Sequence, residues 1–174
     1  MVKQHECRGS ARKLRATLEK PYRFIESGLP NVFLSGIRYF QCPECGRQSG
    51  EIPAVKKLMT VIARTLVEQA SPLAGAEIRF LRKRLGRKAA DFAASISVTP
   101  ETYSKWETGK LAPSAMADSL IRLYYALESG DGVLLARLKT ALEAVLRSRT
   151  TQPKVVTISA TIRNNQWKAQ TRAA

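Results

Sequence analysis

"SVTPETYSKWETGK", residues Ser97 to Lys110, is the stretch on which the fold turns. Thr99 offers a side-chain acceptor just ahead of Pro100, and proline suits a first helical position because no N–H there needs a partner. Gly109 supplies the left-handed stop at which many helices end. The signals predict a short helix over 100–107. Val98, Tyr103 and Trp106 share its inner side, which leaves Glu101, Thr102 and Lys105 turned outward at its start and middle.

Reading outward, apolar residues recur at helical spacing on both flanks. Upstream, "AEIRFLRKRL" places Ile78, Leu81 and Leu85 on one face, and "AADFAASI" does the same with Ala89, Phe92, Ala93 and Ile96. Downstream, "PSAMADSLIRLYYALESG" starts at Ser114 and stops at Gly130, with Ala117, Leu120, Ile121, Tyr124 and Leu127 expected inward. A last helix is expected from Val133 to Arg147, with Leu134, Leu138, Leu142 and Val145 inward. Five helices over 72–149 make a compact bundle.

Two short helices around "SVTP" form a helix-turn-helix, in which the first helix crosses a phosphate backbone and the second enters a major groove. Lys105 can donate to guanine O6 or N7, Thr102 can touch a thymine methyl or bond a base edge, and Glu101 can accept from cytosine N4. These three are the candidate readers of sequence. Arg79, Arg82, Lys83, Arg84, Arg87 and Lys88 form the densest basic run just upstream. Such groups would meet phosphates and supply affinity without reading bases.

The composition agrees with that assignment. Among 174 residues, 29 basic against 14 acidic side chains give a net charge of +15 and a pI near 10.2. That excess predicts attraction to polyanions without choosing among DNA, RNA, an anionic membrane and an acidic protein. No apolar run approaches the ~18 residues that span a bilayer, and Met1 to Arg8 lacks a leader-like core. A soluble, cytoplasmic protein is expected. One histidine, no Ser/His/Asp arrangement and no phosphate-cradling glycine loop argue against an enzyme.

The remaining segments divide the chain. Residues 1–52 hold all three cysteines and two stretches that read as extended, "YRFIE" at 22–26 and "GIRYFQC" at 36–42, with Gly28, Pro30 and Gly36 breaking the chain around "NVFL". Cys42 then falls at a strand end and Cys45 on the tight turn that follows, where Gly46 lets backbone amides turn toward the sulfurs; this is zinc-knuckle geography. Residues 53–71 are expected to form a connecting helix, with Val55, Leu58, Met59, Ile62, Leu66 and Val67 near one stripe. The pattern does not separate a core stripe from a subunit contact. Residues 150–174, basic and without an acid, are expected to be a mostly flexible tail with at most a short strand over Val155 to Ile158. Trp167 is the one side chain in it suited to anchoring.

Residues 73–122 look like an Xre/Cro/C1-type helix-turn-helix. With "YFQCPECG", "EIP", "EIRFLRKRLG" and "VTPETYSKWETGK" in order, Pro21 to Arg122 resembles the MqsA/YgiT-type antitoxin and regulator family, which joins an N-terminal zinc-binding domain to such a bundle. The resemblance implies an α+β fold: a small zinc-ribbon-like β domain followed by an all-helical bundle. It implies a homodimer on a palindromic operator in double-stranded DNA, repression of transcription, and a possible cognate toxin protein as partner. Glu101 and Lys105 match the family's groove-reading positions. The chain departs from the pattern at Lys88 and Ala89, where Ser-Gln is common, and at Ser97, where the turn glycine is usual. The family's second C-x-x-C is reduced to Cys7, so structural zinc would take Cys42, Cys45, Cys7 and His5, the last pair at an unfavourably short spacing. A protein-interaction module that covers a partner through residues 1–51, with DNA contact secondary, is the alternative; RNA binding by the basic helices is a lesser one.

Overall fold

The computed structural model describes residues 11–138, 156–163 and 166–173. The architecture is α+β, with an N-terminal β half followed by a helical bundle. The β half contains two sheets. Strands β1 (Arg12–Arg15), β4 (Arg38–Gln41) and β5 (Gln48–Glu51) form an antiparallel sheet in the order β1-β4-β5. Strands β2 (Tyr22–Arg23) and β3 (Val32–Ser35) pair antiparallel in a second sheet, which is continued by β6 (Val156–Arg163) and β7 (Gln166–Ala173) in the order β2-β3-β6-β7.

The second sheet corrects the expectation of a flexible tail. β6 runs parallel to β3, with Val32 opposite Ile158 and Leu34 opposite Ala160, and β7 returns antiparallel to it. Ile158 and Ala160 are buried beside Val32 and Leu34. The physical reason is β3 itself, a nearly fully buried strand whose second edge would otherwise hold unpaired N–H and C=O groups. The sequence between β3 and β6 includes β4, β5 and all the helices of the bundle, so the β half is assembled from both ends of the chain. Residues 1–52 are only part of it.

"YRFIE" is extended only at Tyr22–Arg23 and then closes into a 3-10 turn, Ile25–Ser27, ended by Gly28 in the left-handed region. The helices are α1 (Val55–Glu68), α2 (Gly75–Arg84), α3 (Ala89–Ser95), α4 (Pro100–Glu107) and α5 (Ala115–Glu128); residues 132–138 are helical as well. The remainder of the expected last helix, and with it Leu142 and Val145, lies outside the described residues.

α1 buries Leu58, Ile62, Ala63, Leu66 and Val67 and packs on both β7 and α2. Its stripe is therefore core and not a subunit contact, and one continuous apolar cluster runs from Tyr22 in the β half to Tyr125 in the bundle. Trp167 is buried, and its indole Nε1–H donates to the Pro53 carbonyl oxygen at 3.2 Å, pinning the hairpin to the entry of α1.

The joint after α1 is held by an ion pair no periodicity suggested. Arg122 and Asp118 on α5 are fully buried and bonded at 2.7 Å. The Arg122 guanidinium donates to the carbonyls of Leu66, Val67, Gln69 and Ser71, and Asp118 accepts from the Leu73 N–H. The carbonyls of Leu66 and Val67 belong to the last turn of α1 and have no partner within that helix. Glu77 completes the joint by accepting from Gln69 Nε2 and the Ala74 N–H; burial holds its carboxyl above the ordinary range, against the pull of those donors and Arg122. This arrangement rotates α5 relative to expectation. Ile121 is buried as predicted, but Leu120 and Leu127 are exposed, and Asp118, Arg122, Tyr125 and Ala126 face inward instead.

Candidate nucleic-acid interface

The turn between α3 and α4 is built as the sequence suggested. Ser97 occupies the left-handed region at φ 56°, and the Val98 N–H donates to the Ala93 carbonyl. Thr99 caps α4, its Oγ1 accepting from the Thr102 N–H at 3.2 Å. Behind the helix, Tyr103 is fully buried, its ring 5.3 Å from Phe92 and 6.2 Å from Trp106; Phe92 also meets Tyr124 edge-on at 5.1 Å. Burial pushes the Tyr103 hydroxyl far above the ordinary phenol range, so it stays neutral.

The outward side of α4 carries Glu101, Ser104, Lys105 and Thr108, all exposed. These are positions i, i+3, i+4 and i+7, one continuous face. Ser104 was not among the predicted readers, although its spacing from Glu101 marks it. Thr102 is less available than expected: it is half-buried, and its Oγ1 accepts from the Thr99 hydroxyl at 3.0 Å.

The basic run separates into two groups. Arg82 is largely withdrawn, its side chain 12% exposed, with Nε 2.6 Å from Glu107 Oε1 and a second bond of 3.0 Å to Oε2. It also donates to the Arg87 carbonyl, bracing the turn after α2. Arg79 reaches the same carboxylate at 3.4 Å, and Arg87 is bonded to Glu128 at 2.6 Å. Arg82 carries a structural part that the sequence did not suggest: Glu107, the last residue of α4, is buried and needs a cation, and Arg82 supplies it. Lys83, Lys88 and Lys105 are exposed and make no ion pair among the described residues.

The cysteine turn lies at the far end of the first sheet. The Cys42 N–H donates to the Arg47 carbonyl and the Gly46 N–H to the Cys42 carbonyl, closing the β4–β5 turn with Gly46 at φ 70°. Cys42 is buried and Cys45 exposed. Among the described residues no third potential ligand joins them; Cys7 and His5 lie outside those residues.

A short exposed helix, capped at Thr99 and backed by aromatic side chains, forms the second half of a helix-turn-helix segment, and its presence supports a DNA-binding, transcription-regulatory role. Residues 78–116 match the family model for the helix-turn-helix, a non-catalytic DNA-binding domain. That match covers α3, α4 and most of α2 and stays within the helical half. No curated protein and no solved structure gives a significant match. No helix among the described residues is long and apolar enough to cross a membrane.

Proposed function

We propose that the protein is a sequence-specific repressor that binds a palindromic operator as a homodimer, with α4 in the major groove. The observation that carries this reading is the polarity of α4: Tyr103 and Trp106 are buried while Glu101, Ser104 and Lys105 are exposed together. Glu101 and Lys105 read base edges, Ser104 adds a hydroxyl to the same face, and Lys83 and Lys88 take phosphates. An apolar stripe on α5 supports self-association. Met116 (77% exposed), Leu120 and Leu127 (57% exposed) lie on its outer side, and the half-buried Leu123 completes their heptad spacing.

The test is protection of DNA upstream of the chain's own reading frame, followed by binding to the protected duplex and to a mismatched one at several salt concentrations. Two protected half-sites one helical turn apart are expected. Lys105→Ala should cost about 1–3 kcal/mol on the operator and little on the mismatched duplex, whereas Lys83→Ala should weaken both alike. Equal losses for Lys105→Ala on both duplexes would remove it as a reader.

Structural zinc at the Cys42–Cys45 turn belongs to the same proposal. The turn fits half of a tetrahedral site, two sulfurs with a backbone closed around them, and Cys7 and His5 are the residues to complete it. Zinc there would fasten the segment before β1 onto the first sheet. Native mass measurement should show one zinc per chain, lost in Cys42→Ser. An antitoxin role, with a toxin protein covered by the β half, rests on the motif resemblance and is tested by co-purification with the product of the adjacent gene.

A further inference from the structure

The outer face of the β1-β4-β5 sheet carries more positive charge than the fold neutralises. Residues directly opposite one another in an antiparallel pair share a face, as do residues two apart on a strand. The register sets Lys13 beside Phe40 and Ser49, and Arg15 beside Arg38 and Glu51, on the side of the sheet away from the Tyr22–Tyr39 ring contact. Lys13 Nζ lies 5.9 Å from the Phe40 ring centroid. Lys13 and Arg15 are exposed, and the Arg38 side chain is 64% exposed. Lys13, Arg15 and Arg38 line a shallow depression over Gly36.

Among the described residues, three cations on this face meet one carboxylate, Glu51, which is 2.9 Å from Arg38. Arg15 stands directly opposite Arg38, a like-charge pairing that disfavours the sheet. Protection of a sheet edge by charged side chains would account for β1, which is an edge strand. It does not account for Arg38, which sits on the central strand. Unbalanced charge held at a cost to the sheet is the mark of a surface completed by an anionic partner.

We infer that this face is a second DNA-contacting surface, taking phosphates of the duplex without reading sequence. Charge complementarity calls for a polyanion, and the duplex that the helix-turn-helix would bring to the molecule is the one presented at high effective concentration. The inference goes beyond groove reading by α4 and stands on different residues.

The experiment uses the full chain and a mixed-sequence duplex, and reads the slope of log K against log salt. Lys13→Gln/Arg15→Gln should make that slope shallower by about 1.8, the amount for two phosphate contacts. Its thermal midpoint should be unchanged or higher, because the Arg15–Arg38 repulsion is gone. Glu51→Gln, which frees Arg38, should strengthen binding, an effect no folding defect produces. A slope unchanged in the double variant overturns the inference while leaving the role of α4 intact. Shallower slopes in the double variant alongside Lys105→Ala with unaltered discrimination would keep the sheet surface and remove the groove-reading assignment. Normal duplex binding with loss of polyglutamate binding in the double variant would assign the face to an acidic protein and overturn the inference.

Discussion

At the scale of single residues, two backbone positions show how close packing and turn chemistry fix the helix-turn-helix. Ser97 holds a left-handed conformation that costs a non-glycine residue about 1–2 kcal/mol, and the α3–α4 turn keeps its hydrogen bonds all the same. Gly75 is under a steric constraint. A Cβ there would lie 2.4 Å from the Trp106 carbonyl oxygen and 2.8 Å from that of Glu107. The start of α2 thus presses on the end of α4, where Arg79 and Arg82 also grip Glu107. Gly75→Ala is expected to destabilise the protein by about 1–3 kcal/mol, the range for overpacking against unyielding atoms, as measured by urea unfolding. The gain in helix propensity from alanine would offset part of this, so an unchanged midpoint would mean that α2 can shift. The exposed face of α4 was legible at this scale because a cap, a proline and two aromatic residues fixed the rotation of the helix. The withdrawal of Arg82 was not, because its partner Glu107 is 25 residues away in sequence.

Among the elements, the C-terminal hairpin departs most from what its sequence suggests. It is polar, basic and short of large apolar side chains, and so lacks the composition of an independent strand pair. Alternation was present, in Val156, Ile158, Ala160 and Ile162, and Asn164-Asn165 is a turn signal. Neither outweighs composition unless a partner edge is known to exist. Trp167 is the side chain that ties the hairpin to α1, and Trp167→Ala should cost about 3–5 kcal/mol. Chemical unfolding followed by far-ultraviolet circular dichroism measures this, and a loss below about 1 kcal/mol would show that strand pairing alone holds the hairpin. The α5 helix illustrates the opposite case: its apolar periodicity was strong, yet it chose the wrong face. A buried Asp–Arg pair took the inner side, and part of the apolar stripe was left for solvent or a second copy.

For the molecule as a whole, the decisive feature is that the two halves share one core. α1 packs on β7 and on α2, and Arg122 binds four carbonyls at the joint between α1 and α2. Truncating it would strand the Asp118 carboxylate in the interior, so Arg122→Ala should destabilise by about 3–5 kcal/mol. One tryptophan lies in each half. In the wild type, the fluorescence of Trp167 in a Trp106→Phe background and that of Trp106 in a Trp167→Phe background should report a single coincident transition. In Arg122→Ala the two are expected to separate.

The sequence by itself determined the helix-turn-helix. Its caps, proline, glycine stop and helical periods are local signals, each acting within a turn or two of chain. It also placed Cys42 and Cys45 on their turn and Glu101 and Lys105 on the outside of α4. Only the tertiary structure decided that the last strands complete the second sheet, that Arg82 serves Glu107, and that an ion pair occupies the core side of α5. Each of these depends on a partner far away along the chain, and local propensity carries no information about which distant group will satisfy a buried strand edge or charge.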